Sequence, residues 1–150
     1  MDLRIKIPTL IEGKKFTDDR GNLSFANNLD LSNFKRFYLV ENHSQNFIRA
    51  WHGHQKEYKV FFPVYGSILV ACVKFGDPIS PNLDAKIDRH VLDASSPDAL
   101  IIPNGYANGF MTLSLGAKLL VFSSSTVDES KDDDFRFPFD TWNPWDIVQR

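Results

Sequence analysis

The chain has 150 residues, 43% hydrophobic and 24% charged, with a formal net charge of -2. That length suits one domain, residues 1–150, built around one sizeable core. With 17 basic against 19 acidic residues there is no basic face for a phosphate backbone, so nucleic acid is not an expected partner. No stretch approaches the roughly 20 apolar residues of a membrane span, and Met1–Gly13 lacks the apolar core of a secretion signal. No membrane partner and a cytoplasmic location are therefore expected.

The 13 Phe, with 4 Tyr and 3 Trp, favour strands over helices. Taken in order, Asp18-Asp19-Arg20-Gly21-Asn22 is a turn that leads into Leu23-Ser24-Phe25. Phe34 to Glu41 and Ile48 to His54 are strands. Tyr58 to Val64 and Ile68 to Phe75 read as a hairpin, with Gly66 supplying positive φ in the turn. The lone cysteine, Cys72, lies in the second of these runs and reads as a small buried hydrophobe in a reducing compartment.

Pro78, Pro81 and Asn82 mark a loop, followed by a strand over Ala85 to Leu92. Leu100-Ile101-Ile102 stops at the turn Pro103-Asn104-Gly105. Phe110 to Leu113 and Lys118 to Phe122 flank Leu115-Gly116 as a second hairpin. Asp128 to Asp134 reads as a solvated loop or short helix, and the tail from Phe135 to Ile147 is rich in Phe, Trp and Pro. No segment holds a 3.6-residue apolar period over 11 or more residues. Many short strands separated by turns predict an all-β sandwich or barrel.

Arg49-Ala50-Trp51-His52-Gly53-His54 carries the clearest chemistry. Alternation along a strand puts His52 and His54 on one face. Gly53 between them allows another group to approach the backbone closely. Two such imidazoles suit metal ligation, proton transfer or plain polar lining. A metal-binding cupin continues with a glutamate three or four residues on and a Pro-x-Gly-x-x-His turn. Here Glu57 comes one residue short, and Pro103-Asn104-Gly105-Tyr106-Ala107-Asn108 ends in Asn. An amide oxygen is a poor substitute for imidazole on a transition metal, so no metal is expected. For proton transfer, Arg49 and Lys59 are the cations that could face a developing enolate oxygen.

Five pieces in order carry a family resemblance over Phe16 to Phe137: Asp19-Arg20-Gly21; Val40-Glu41-Asn42-His43-Ser44; Arg49-Ala50-Trp51-His52; Ser80-Pro81; and Ile102 to Phe110. The chain resembles the dTDP-4-dehydrorhamnose 3,5-epimerases and their relatives, the dTDP-4-keto-6-deoxyglucose 3,4-ketoisomerases. The resemblance implies a cupin jelly roll, that is, a double-stranded β-helix. It further implies no cofactor, a dTDP-linked keto sugar as ligand, and a homodimer with exchanged N-terminal strands. By matching position it makes His52 the catalytic base and Arg49 a substrate contact. Arg20 becomes a nucleotide contact supplied from the partner subunit, and Lys59 lies near the enolate oxygen. Tyr106 and Asn108 fall in the matching turn as substrate-binding candidates.

The departures divide the two activities. The epimerase tyrosine acid is replaced by Val121, and the acid that follows the family Trp-Asn pair is missing after Trp142-Asn143. Asp140 is the candidate to replace it. The His52/His54 pair and Lys35-Arg36-Phe37-Tyr38 resemble the ketoisomerases, which brings Tyr38 to the site beside His54 as a second proton carrier. A 3,5- or 3-epimerase is the first expectation. A 3,4-ketoisomerase, a non-catalytic sugar-binding cupin and a metal-dependent cupin are its rivals.

Overall fold

The computed structural model describes residues 5–150; the first four residues of the Met1–Gly13 segment lie outside it. Twelve strands and one short helix are present among the described residues. They are β1 (Thr9–Ile11), β2 (Lys14–Asp18), β3 (Gly21–Phe25), β4 (Arg36–Glu41), β5 (Ile48–Gly53), β6 (Lys59–Tyr65) and β7 (Ser67–Lys74). After them come β8 (Ile87–Asp93), β9 (Ala99–Ile102), β10 (Tyr106–Thr112), β11 (Lys118–Ser123), α1 (Val127–Lys131) and β12 (Phe135–Arg136).

Two five-stranded antiparallel sheets face each other, in the orders β1-β9-β6-β11-β4 and β12-β5-β10-β7-β8. From β4 to β7, and again from β9 to β12, successive strands alternate between the sheets. This is the jelly-roll arrangement of a cupin, as the sequence led us to expect. The hairpin β2–β3 is a third, separate sheet.

The alternation between sheets corrects both predicted hairpins. β6 does not pair with β7, nor β10 with β11. A single residue, Gly66 at φ 69°, separates β6 from β7. That is one short of the two-residue loop of the tightest common hairpins, so the chain turns a corner into the opposite sheet. The positive φ is as predicted; the partner is not.

The core lies in layers. Between the sheets, Phe61, Ile68, Val70, Cys72, Leu100, Phe110, Leu119 and Val121 form one apolar cluster. Behind the β5-containing sheet, Leu69, Ala71, Val73 and Met111 meet Trp51, Phe137, Trp142 and Trp145. The aromatic tail is thus the outer cover of that sheet. Both faces of β7 are buried, which is why Ile68 to Val73 reads as a continuous apolar run instead of an alternating one. Cys72 sits wholly inside, and burial pushes its thiol far up, in keeping with a small hydrophobe.

Candidate active site

A cavity of about 340 Å³ opens between the sheets, with His52, His54, Tyr38, Arg49, Lys59 and Asn108 on its wall. β4 and β6 supply Tyr38 and Lys59; β5 and β10 supply Arg49, His52 and Asn108. His54 follows directly on β5.

The spacing of Arg49 and His52 is odd, and strict alternation would put them on opposite faces. The register resolves this. Asn108 lies opposite His52 and Phe110 opposite Arg49, with a bulge between that leaves Trp51 as the extra residue. Trp51 turns outward into the tail aromatics, while Arg49 and His52 both reach the cavity. Gly53 is explained by the same packing. A Cβ there would meet Phe75 Cε1 at 3.0 Å and Phe137 Cε2 at 3.2 Å. The close approach is by core rings.

Arg49 is held by its neighbours. Its Nε donates to Asn42 Oδ1 at 2.7 Å. Asn42 belongs to the Val40-to-Ser44 piece, so that piece orients a cavity-wall arginine. Asn108 is buried and donates through Nδ2 to the His52 carbonyl oxygen at 3.3 Å. Lys59, also buried, donates to Tyr38 Oη at 3.0 Å.

His52 is pushed down to about 4, first by burial and then by the charges of Lys59 and Arg136. It is therefore neutral at pH 7, the form that can accept a proton. Burial and then Lys59 also push the His54 imidazole below its ordinary value. Its Nδ1 lies 2.6 Å from the Asp133 carbonyl oxygen.

Two site expectations need correction. Asp140 is exposed in a turn and off the cavity wall, because the tail around Trp142 packs on the outer face of the sheet. Tyr106 shares the inward face of β10 with Asn108 but is buried in the inter-sheet cluster, away from the cavity. Burial pushes its hydroxyl up. Arg20, expected to act from the partner subunit, stands on the β2–β3 hairpin, paired with Asp18, largely exposed and off the cavity of its own chain.

Several residues had no role in the sequence reading. Glu57, weighed only as a metal ligand out of register, is a buried carboxylate on the cavity wall. Burial pushes its carboxyl up, but Lys59, His54 and a hydrogen bond from Ser130 outweigh that and hold it below the ordinary value. Arg36, Lys131 and Arg136 join Arg49 and Lys59 on the wall, against the carboxylates of Glu57 and Asp134. The cavity is thus cationic in a chain of net charge -2, which suits an anionic ligand. Asp133 is buried within the run read as solvated. Its carboxylate accepts the backbone N–H groups of Gln55, Lys56 and Glu57 at 2.7, 2.9 and 2.9 Å. Only the half-buried aromatic after it, Phe135, hinted that this acidic segment returns to the body. Among the described residues, no three His, Cys, Asp or Glu side chains converge as a metal-ligand set.

The protein-family model described as FdtA, WxcM-like, C-terminal matches residues 6–137. The chain belongs to this family. A search of curated proteins gives no match.

Among solved structures, this FdtA-family chain is similar to a double mutant of the QdtA 3,4-ketoisomerase from Thermoanaerobacterium thermosaccharolyticum in complex with TDP. The two share 25% identity at a TM-score of 0.65, covering 89% of each chain. The WlaRB TDP-quinovose 3,4-ketoisomerase from Campylobacter jejuni is 22% identical, with a TM-score of 0.66 over 89% of this chain and 95% of that one. The dTDP-4-dehydrorhamnose 3,5-epimerase from Bacillus anthracis, solved with TDP and PPi bound, is 20% identical. Its TM-score is 0.74 over 95% of this chain and 86% of that one. Both sequence resemblances thus recur as resemblances of fold.

Proposed function

We propose that this protein is a cofactor-independent isomerase of a dTDP-linked 4-keto-6-deoxy sugar, working by proton transfer beside the ketone. The observation that carries the reading is a neutral, largely buried imidazole, His52, on the wall of a cationic cavity. The cations suit the diphosphate of a nucleotide sugar. His52 removes the proton from the carbon next to the carbonyl, and the electron pair moves onto the carbonyl oxygen. Lys59 or Arg49 faces that charge. Family membership and the ligands of the similar structures support the substrate class.

Within that class we favour the 3,4-ketoisomerase over the epimerase first expected. Tyr38 and His54 both line the cavity, while Val121 is core, on the strand where the epimerases carry their acid. In a ketoisomerase the intermediate is reprotonated on the former carbonyl carbon, the proton of the neighbouring hydroxyl passes to the former carbonyl oxygen, and that neighbouring carbon becomes the new ketone. A 3,5- or 3-epimerase is the second reading, favoured by Lys59 at the position of the epimerase lysine.

The test is incubation with dTDP-4-keto-6-deoxyglucose in deuterated water, followed by NMR. A ketoisomerase incorporates deuterium at a ring carbon and moves the carbonyl carbon signal. An epimerase incorporates deuterium and leaves the carbonyl in place. Binding with no deuterium in any ring carbon, across several nucleotide sugars, means a sugar-binding protein and sinks the isomerase.

We further propose a homodimer in which the β2–β3 hairpin reaches the partner. The hairpin pairs with no other described strand and exposes Phe16 and Leu23. Such an arrangement would bring Arg20 to the partner's cavity. Light scattering on the eluting protein should give twice the chain mass, and Arg20→Ala should weaken nucleotide-sugar binding. A monomer that binds equally well without Arg20 removes the exchange.

A further inference from the structure

Glu57 is met from four sides. Oε1 accepts from Ser130 Oγ on α1 at 2.8 Å and lies 3.6 Å from Arg36 on β4. Oε2 lies 3.5 Å from Lys59 Nζ on β6 and 3.3 Å from His54 Nε2, just beyond β5. Lys131, on α1, lines the same cavity. The Asp133 carboxylate holds the Glu57 backbone N–H at 2.9 Å.

The His54 contact lacks something. Its Nδ1 is 2.6 Å from a carbonyl oxygen, which can only accept, so Nδ1 carries the hydrogen. A neutral ring then turns the lone pair of Nε2 toward Glu57 Oε2, another lone pair. Both atoms are buried, and neither has a hydrogen-bond partner. One proton placed between them would satisfy both. From the same carboxylate, Lys59 continues to Tyr38 Oη at 3.0 Å.

We propose that Glu57 is a positioning residue that lets His54 hold a proton at Nε2, and that this pair is the store that recharges Tyr38 through Lys59. The storage half stands on geometry alone; the recharging half rests on the isomerase reading. The protons balance. Tyr38 gives its hydroxyl proton to the intermediate and regains one from Lys59. Lys59 is restored through Glu57 from His54 Nε2. Glu57 ends as it began, His54 ends neutral, and His52 keeps the proton taken from carbon. Exchange with water resets the two imidazoles. Burial and Lys59 outweigh the pull of Glu57, so the store fills only as pH falls below the ordinary histidine value, and Glu57 sets how far below.

The first experiment needs no substrate: a 15N-imidazole NMR titration of the whole protein and of Glu57→Gln. The His54 midpoint should fall by about one pH unit in the variant, since one opposite charge within 4–6 Å has gone. Coincident His54 curves overturn the proposal. Wild-type protein alone gives a second measurement, should the variant not fold. Below the His54 midpoint both of its nitrogens should carry hydrogen while the Glu57 carboxyl 13C signal stays ionised. A protonated carboxyl beside a neutral ring overturns it. The second experiment follows dTDP-4-keto-6-deoxyglucose in deuterated water. Glu57→Gln and Tyr38→Phe should keep wash-out of the first proton and lose product formation by about 10²-fold. Equal loss of both processes makes Glu57 merely structural. If wild-type protein exchanges no substrate proton, the isomerase reading fails, and the titration still decides the proton store.

Discussion

At the scale of single residues, the environment of His52 determines what it can do. Burial and two cations keep it unprotonated well below neutrality. His52→Gln should lower deuterium incorporation about 10²- to 10⁴-fold with an unchanged circular dichroism spectrum. The base form is lost only as pH falls through about 4, so the acid limb of kcat/KM assigned to His52 should lie there. Initial rates between pH 4 and 8 check this; a limb near the ordinary histidine value of about 6.5 would contradict it. The same depression acts on stability. His52, His54 and His90 all bind protons less readily folded than unfolded. Below the ordinary histidine value the unfolded chain therefore takes up more protons, and stability falls with pH down to the lowered values. Thermal melts should show Tm decreasing from pH 7 to pH 5, before most carboxylates titrate.

At the scale of elements, the segment after β11 does more than its acidic composition suggests. Thr126 and Glu129 form a capping box that starts α1. Arg36 donates to the Ser125 carbonyl and to Ser130, tying the helix to β4. Asp133 then gathers three consecutive N–H groups of residues 55–57, and its own carbonyl receives His54. Each bond to the ionised group contributes roughly 1.5–3 kcal/mol, and these bonds share one carboxylate. Asp133→Ala should therefore cost about 3 kcal/mol in urea unfolding and should also disturb the His54 resonance. Loss of stability with His54 unmoved would separate the loop from the site.

At the scale of the whole molecule, the tail completes a layer. Trp142 stacks edge-on against Trp51 at 5.3 Å and against Phe137 at 5.4 Å, and its Nε1 donates to the Asn82 carbonyl. Trp51 is also the bulge residue of β5, so the tail covers the side chain whose outward turn lets Arg49 share a face with His52. Trp142→Ala should lower stability by about 3–5 kcal/mol in denaturant melts. It should also weaken ligand binding without touching a cavity-wall residue. Unchanged binding in a folded variant would mean that the bulge holds without its cover.

The sequence alone determined the strand content, its family resemblance implied the jelly roll, and together they offered His52, His54, Tyr38, Arg49, Lys59 and Asn108 as candidates, which the fold gathers on one cavity wall. These rest on short-range patterns: alternation, turn residues and ordered motifs. Strand pairing was not legible, because Gly66 marks a turn without naming the sheet the chain enters next. Glu57 and Asp133 were not legible as site residues either. A buried carboxylate looks like any surface acid until partners distant in the chain are brought to it: Arg36 and Ser130 to Glu57, the 55–57 backbone to Asp133. Asp140 failed for the converse reason. It is near in sequence to the expected position, but the tail spends its aromatic residues covering the sheet. The sequence and its family resemblance offered His52 as the candidate base, and only the folded chain decided which charges surround it.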